Sequence, residues 1–273
     1  MDEAMVIDKN ESKIYKEIRV LFEDFEEQLL HENRYTLQHD FVKLFKNQFD
    51  KNNIFTPCIE LKKNKTIIYR ARLYENDETE EEIKAKPPEF IGYNKEKSFV
   101  PPKEKCKMGR INPEGIVYLY ATKDLKTAIK EVRPYLRQVV SVAKVKVNNA
   151  LKLIDLTSKY NTKNACTYME AIRDLLSELL SAPVRPDENK KYLATQYIAE
   201  IIKDMGFDGI AYRSAFDIEE INYCIFNYKE CDIISSNKYM PLRIAMRYKI
   251  YGKISIFEDI LSSTKNLLKS LFF

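Results

Sequence analysis

The sequence predicts an α+β fold, and three observations carry that reading. Short runs rich in β-branched and aromatic residues, such as KTIIYRARLY and IVYLYA, have the composition of strands. Longer stretches between them place apolar residues at helical spacing. The two kinds do not alternate as regular βαβα units, which sets the pattern apart from a doubly wound parallel sheet. At 273 residues, 45% hydrophobic and 32% charged, the chain can bury one sizeable core, as a large domain or a medium one with appendages.

Residues 11–49 predict helix. Ile14, Ile18, Leu21, Phe22, Phe25 and Leu29 recur on one face, and Phe41, Leu44 and Phe45 continue the rhythm. Asp50 to Pro57 reads as a connector. Residues 65–74 predict a strand, and the acidic run that follows reads as a solvated loop or helix start. Residues 87–103 hold four of the ten prolines and predict an ordered, extended loop. Asn112-Pro113-Glu114-Gly115 is turn chemistry, because proline presets one backbone angle and glycine accepts positive φ.

IVYLYA then predicts a strand, and Thr122 or Asp124 caps a helix starting near Leu125. Leu125, Ala128, Ile129 and Val132 form its apolar stripe, and Glu131 borders that stripe rather than lying opposite it. Residues 139–147 and 150–156 predict strands. Residues 166–182 and 191–207 predict helices, the second stopped by Gly206. DGIAYRS and INYCIFNY are strand-like, and 254–273 is an amphipathic helix with Phe257, Ile260, Leu261, Leu267, Leu268 and Leu271 on one side.

Several function classes are excluded or disfavoured. The net charge of +4 does not advertise a nucleic-acid surface. Five scattered cysteines with no CxxC pair argue for reduced thiols in a cytoplasmic protein. No apolar run approaches the roughly 20 residues that span a bilayer, and the tail's polar face mixes Glu258 and Asp259 with Lys265 and Lys269, unlike the basic face of most membrane-surface helices. The two histidines, His31 and His39, both lie near the N-terminus, so the remaining chain holds neither a His-dependent triad nor a His-ligated metal site. Neither GxGxxG nor GxxxxGK[ST] occurs. Catalysis in the body of the chain must therefore use carboxylates, arginines, hydroxyls or thiols.

Five residues stand out: Arg70 in IIYRAR, Arg110 before the Asn-Pro turn, Tyr120 on the strand, Glu131 on the next helix, and Ser214 where DGIAYRS leaves its strand. Each also has an ordinary reading. A flank glutamate is commonly solvated, a strand tyrosine packed, and a serine part of a turn.

In order and spacing, YRAR, GRINPEG, YLYATKDLKTAIKEVRP and GFDGIAYRS resemble the RES domain, named for an arginine, a glutamate and a serine. The likeness runs from about residue 65 to 230. It implies a helical region at 1–57 similar to that of the subgroup with HEPN-like helices, a RES domain at 58–240 and a helical extension at 241–273. It further implies an ADP-ribosyltransferase-like mixed β core and an enzyme that consumes NAD by phosphorolysis or hydrolysis, as bacterial toxins of the family do. On this resemblance Glu131, Arg70 and Tyr120 are catalytic, while Arg70, Arg110, Tyr120 and Ser214 bind NAD. NAD is then a substrate rather than a true cofactor, inorganic phosphate a co-substrate in the phosphorolytic case, and an inhibitory antitoxin a partner. Neither a metal nor a membrane is implied, and the amphipathic tail suits a homodimer.

The residue types fit such chemistry on their own terms. Breaking the nicotinamide–ribose bond passes through an oxocarbenium-like cation. The pyridinium leaving group needs no general acid, a carboxylate can stabilise the developing charge, and guanidinium forks suit a diphosphate. A rival pair lies at Arg34 and His39, whose spacing resembles the HEPN ribonuclease motif and whose types could bind a phosphodiester and move its proton. ADP-ribosyl transfer to a protein is the other alternative.

Overall fold

The computed structural model describes residues 11–158, 165–182, 192–216 and 219–242. Contacts divide the chain after Pro241. The tail helix expected at 254–273 lies outside the described residues.

Two helices open the first unit, α1 (Lys13–His31) and α2 (Asp40–Gln48). Strands β1 (Cys58–Leu61) and β2 (Ile67–Leu73) follow, then short helices α3 (Glu80–Ala85) and α4 (Lys95–Ser98). Next come β3 (Leu119–Thr122), α5 (Leu125–Glu131), β4 (Val140–Val147) and β5 (Leu151–Leu156). Helices α6 (Tyr168–Ser181) and α7 (Leu193–Asp204) lead to β6 (Gly209–Arg213), β7 (Ile221–Ile225) and β8 (Cys231–Tyr239).

The strands form one eight-stranded sheet in the order β1-β5-β6-β7-β3-β2-β4-β8. Neighbours are antiparallel except β5 and β6. That parallel pair is joined through α6 and α7, as parallel strands need a long crossover. The fold is therefore mixed α+β, as expected from the sequence.

Alternation along the strands divides the core. Tyr118 and Tyr120 face the helical layer with Ile154, Ile210 and Cys224, whereas Leu119 and Ala121 join Val145, Leu153, Tyr223 and Ile225 on the other face. On the helical side α1 and α2 share the sheet's core instead of standing apart from it. Phe25, Phe41, Phe45 and Phe49 are fully buried, and Phe22 meets Phe41 edge-on with centroids 5.0 Å apart. The Tyr15 hydroxyl donates to Glu178 Oε2 at 2.8 Å, tying α1 to α6.

Several local expectations change. The helical stretch 11–49 breaks over 32–39, where an Asn33–Thr36 turn redirects the chain. The acidic run does start a helix: Thr79 and Glu82 close a capping box on α3. The proline-rich loop contains the single turn α4, capped by Asn94. Two strands had no sequence signal strong enough to predict them. β1 is four residues at the sheet edge. β8 pairs with β4 along its length, yet its CDIISSNKY sequence is polar and the pairing shifts register between Lys144 and Val145. Gly206 ends α7 with φ +85°, as its position suggested.

Candidate active site

The pocket opens where β2 and β3 part. β2 pairs with β4 from Ile67 to Leu73 but meets β3 only at Tyr69 and Thr122. Beyond that bridge the Tyr120 carbonyl has no ladder partner on β2, and Arg70 Nη1 donates to it at 3.0 Å. Arg70 Nε has no partner among the described residues. Burial of the guanidinium, then the nearby Arg72 charge, lowers its pKa to about 10. Arg70 is thus a half-buried cation without a carboxylate of its own among the described residues.

Helix α5 supplies the opposite wall. Asp124 caps it by accepting from Thr127 N at 3.0 Å, and Ala128 packs on Val140 and Val142 with Leu125, Ile129 and Val132 around it. This seven-residue helix ends at Glu131, and Arg133 just beyond it has φ 48°, so the chain turns away there. Packing of the stripe fixes the rotation of α5, and that rotation brings Glu131 to the pocket. Ser214 Oγ and Asn222 Nδ2 each donate to Glu131 Oε1 at 2.7 Å. No described protein group donates to Oε2. Ser214 Oγ also accepts from Phe216 N at 3.1 Å, so its proton and one of its lone pairs are used within the protein.

The floor comes from β3, β6 and β7. Register places Asn222 directly between Thr122 and Tyr212. The close pairing of β6 with β7 requires Gly209, because a Cβ there would strike the Cys224 carbonyl. The resulting pocket, about 240 Å³, is lined by Tyr69, Arg70, Tyr120, Glu131, Tyr212 and Asn222 among others.

Tyr120 lines this pocket, but its hydroxyl is engaged elsewhere. It donates to Asn112 Oδ1 at 2.8 Å and accepts from Ile111 N at 3.2 Å. Asn112 in turn donates to Lys107 O and Ile116 O, so the phenol anchors the Asn-Pro turn. Burial raises its pKa well above the ordinary value. Arg110 does not line the pocket: Nη2 donates to Ala182 O at the end of α6, at 2.8 Å. Burial also pushes the Cys224 thiol well up, which leaves it protonated and unreactive.

Asn222 and Tyr212 were not singled out from the sequence. The available signal was an asparagine inside the apolar run INYCIF, a polar residue where a strand interior favours β-branched or aromatic side chains. Asn222 is only 4% exposed, and its Oδ1 has no partner.

The rival pair is not assembled. His39 caps α2: its Nδ1 accepts from Phe41 N at 3.1 Å and its Nε2 meets Asp24 Oδ2 at 2.8 Å. Arg34 lies on an exposed turn in a hollow lined by residues 29–35, whereas His39 faces another groove with Leu37, Val42 and Tyr197. Among the described residues no group of three or more His, Cys, Asp or Glu could hold a metal ion, and no helix is long and apolar enough to cross a membrane.

A family model described as the RES domain matches residues 87–244. The chain belongs to the RES domain family. Arg110, Tyr120, Glu131, Ser214 and Asn222 fall within the matched stretch of the RES domain, and Arg70 precedes it. Among solved structures the chain is similar to one in the crystal structure of the M. tuberculosis MbcT–MbcA toxin–antitoxin complex. Identity is 11%, the TM-score 0.41, and the match covers 73% of this chain and 92% of that one. No curated protein matches it.

Proposed function

We propose that this RES protein consumes NAD by breaking the bond between nicotinamide and ribose. The observation that carries the reading is a carboxylate held by two donors across a pocket from a half-buried arginine with no carboxylate partner among the described residues. Membership of the RES family supports it, as does the absence of any need for an acid catalyst.

In this reading the C1′–N bond breaks and its electron pair leaves with neutral nicotinamide. Positive charge then develops on the ribose at C1′ and its ring oxygen, beside Glu131. Ser214 and Asn222 hold the carboxylate in place before the reaction, so no reorganisation is needed as charge appears. Arg70 takes an anion, either the diphosphate of NAD or the incoming inorganic phosphate. When phosphate is the acceptor, its oxygen bonds to C1′ and yields an ADP-ribose phosphate ester; when water is the acceptor, it loses a proton and yields ADP-ribose. At about 240 Å³ the pocket is smaller than the roughly 300–1,000 Å³ of sites that enclose drug-sized ligands, so it takes the reacting end of the dinucleotide. Tyr120 shapes the wall rather than moving a proton. A toxin role, restrained by an antitoxin-like companion protein, follows from the family reading.

Purified protein incubated with NAD, in phosphate and in phosphate-free buffer, tests this. Nicotinamide release with ADP-ribose or its phosphate ester is expected. A folded protein that leaves NAD intact in both buffers defeats the proposal, and label transferred to protein would redirect it to ADP-ribosyl transfer.

A further inference from the structure

Asn222 has two ends, and the structure accounts for only one of them. Its amide orientation is set by Glu131: Nδ2 lies 2.7 Å from Oε1, and the flipped amide would oppose two acceptor oxygens. The same amide's N–H side reaches toward the Tyr212 oxygen. Oδ1 therefore faces away from the glutamate, buried and with no donor among the described residues. Buried polar atoms ordinarily have partners. β7 is paired on both sides, with β3 and with β6, so any adjustment that turns Oδ1 to a ligand is made by the side chain alone.

The neighbouring carboxylate is similarly half used. Both protein donors fall on Glu131 Oε1, which leaves Oε2 for the pocket. Two adjacent side chains of one pocket thus each keep an acceptor oxygen in reserve. Two hydroxyls on neighbouring carbons are the matching donors, and the ribose beside the scissile bond carries such a pair.

We infer that Asn222 reads the sugar, its Oδ1 accepting a hydrogen bond from one hydroxyl of that ribose while Glu131 Oε2 accepts from the adjacent one. The inference rests on the NAD-consuming reading and adds the substrate feature that the site selects: a vicinal diol next to the leaving group. Ser214, whose one proton is already given to Glu131, serves to position the glutamate.

The test measures kcat/KM of the full chain on NAD and on its two analogues lacking the 2′- or the 3′-hydroxyl of the nicotinamide ribose. Wild type, Asn222→Ala and Asn222→Asp are compared, with thermal melting to establish folding. The alanine variant loses donor and acceptor together and is expected to slow on NAD by about tenfold or more. On one deoxy analogue it should be slowed less than on NAD, because the hydroxyl that Asn222 binds is already gone and only the donor to Glu131 is missing. The aspartate variant keeps shape and one oxygen toward the sugar, so it should retain discrimination between the diol and that analogue while kcat falls, since Glu131 has lost a donor. An alanine variant slowed equally on all three substrates shows that Asn222 merely aims Glu131, and overturns the sugar-reading role while leaving the proposed function standing. Should the alanine variant not fold, the aspartate variant decides, and loss of its discrimination overturns the inference. Wild type inert toward NAD defeats the function and this inference together.

Discussion

His39 in the N-terminal helices and Glu131 at the end of α5 are each held by two hydrogen bonds, yet the two regions differ in what remains unused. Both ring nitrogens of His39 are engaged, one as a helix cap and one on Asp24, and the residue is 5% exposed. Glu131 has both its donors on one oxygen, and its neighbours Asn222 and Arg70 keep Oδ1 and Nε unpaired. A polar residue whose capacity is filled by its own fold is architecture. One whose capacity is left over in a pocket is set up for something that arrives from outside.

Substitutions can break or sharpen that contrast. The largest expected effect is at Glu131→Gln, which keeps shape but removes the charge. NAD turnover should fall by about a hundredfold or more with little change in melting temperature. Unchanged turnover would place Glu131 with His39 as architecture.

Arg70→Leu comes next. A half-buried cation whose only described bond is to a neutral carbonyl opposes folding wherever it is protonated, which here means below a pH of about 10 and so includes neutrality. The leucine variant should therefore melt at or above the wild-type temperature while binding NAD at least tenfold more weakly. Added pyrophosphate should stabilise the wild type and not the variant, read by thermal shift. A variant that melts well below wild type would show that Arg70 holds the fold together.

Ser214→Ala removes one of two donors to Glu131 and should lower kcat by about tenfold with KM nearly constant, because the hydroxyl's one proton is committed to the glutamate. A selective rise in KM would instead make Ser214 a substrate ligand. The smallest effect on turnover belongs to His39→Ala. It should destabilise the fold by about 0.5–2 kcal/mol through loss of the α2 cap, seen in denaturant unfolding, while NAD loss per folded molecule stays the same.

The sequence made the walls of this pocket legible better than its floor. Arg70 and Glu131 could be singled out because each breaks a local pattern, an arginine among strand apolars and a glutamate bordering a helix stripe; the structure brings both to one pocket, with Ser214 bonded to Glu131. Asn222 gives a weaker cue, since one asparagine in the apolar run INYCIF acquires meaning only when sheet pairing sets it beside Tyr212 and Thr122. Tyr120 and Arg110 show the converse limit. Spacing located them, but only the fold shows that the phenol anchors Asn112 and that the guanidinium closes the end of α6. β8 was hidden for a related reason: residues such as Ser236, fully buried beneath the Tyr93 carbonyl, are polar yet internal.

The strand order has a further consequence, in time rather than space. Glu131 meets Asn222 across 91 residues of chain, and β3 has no β7 to lie against until residue 225 has been made. At synthesis rates of about 5–20 residues per second, roughly 5–20 s separate the emergence of the carboxylate from that of the side chain that orients it. Through that interval the nascent chain carries a glutamate but no site. On the proposed reading, an enzyme that consumes NAD is then harmless while it is being translated, and the companion protein proposed above would have those seconds in which to reach it first. Ribosome-arrested chains ending before Ile221 should leave NAD untouched, whereas chains extended past Tyr239 should begin to consume it.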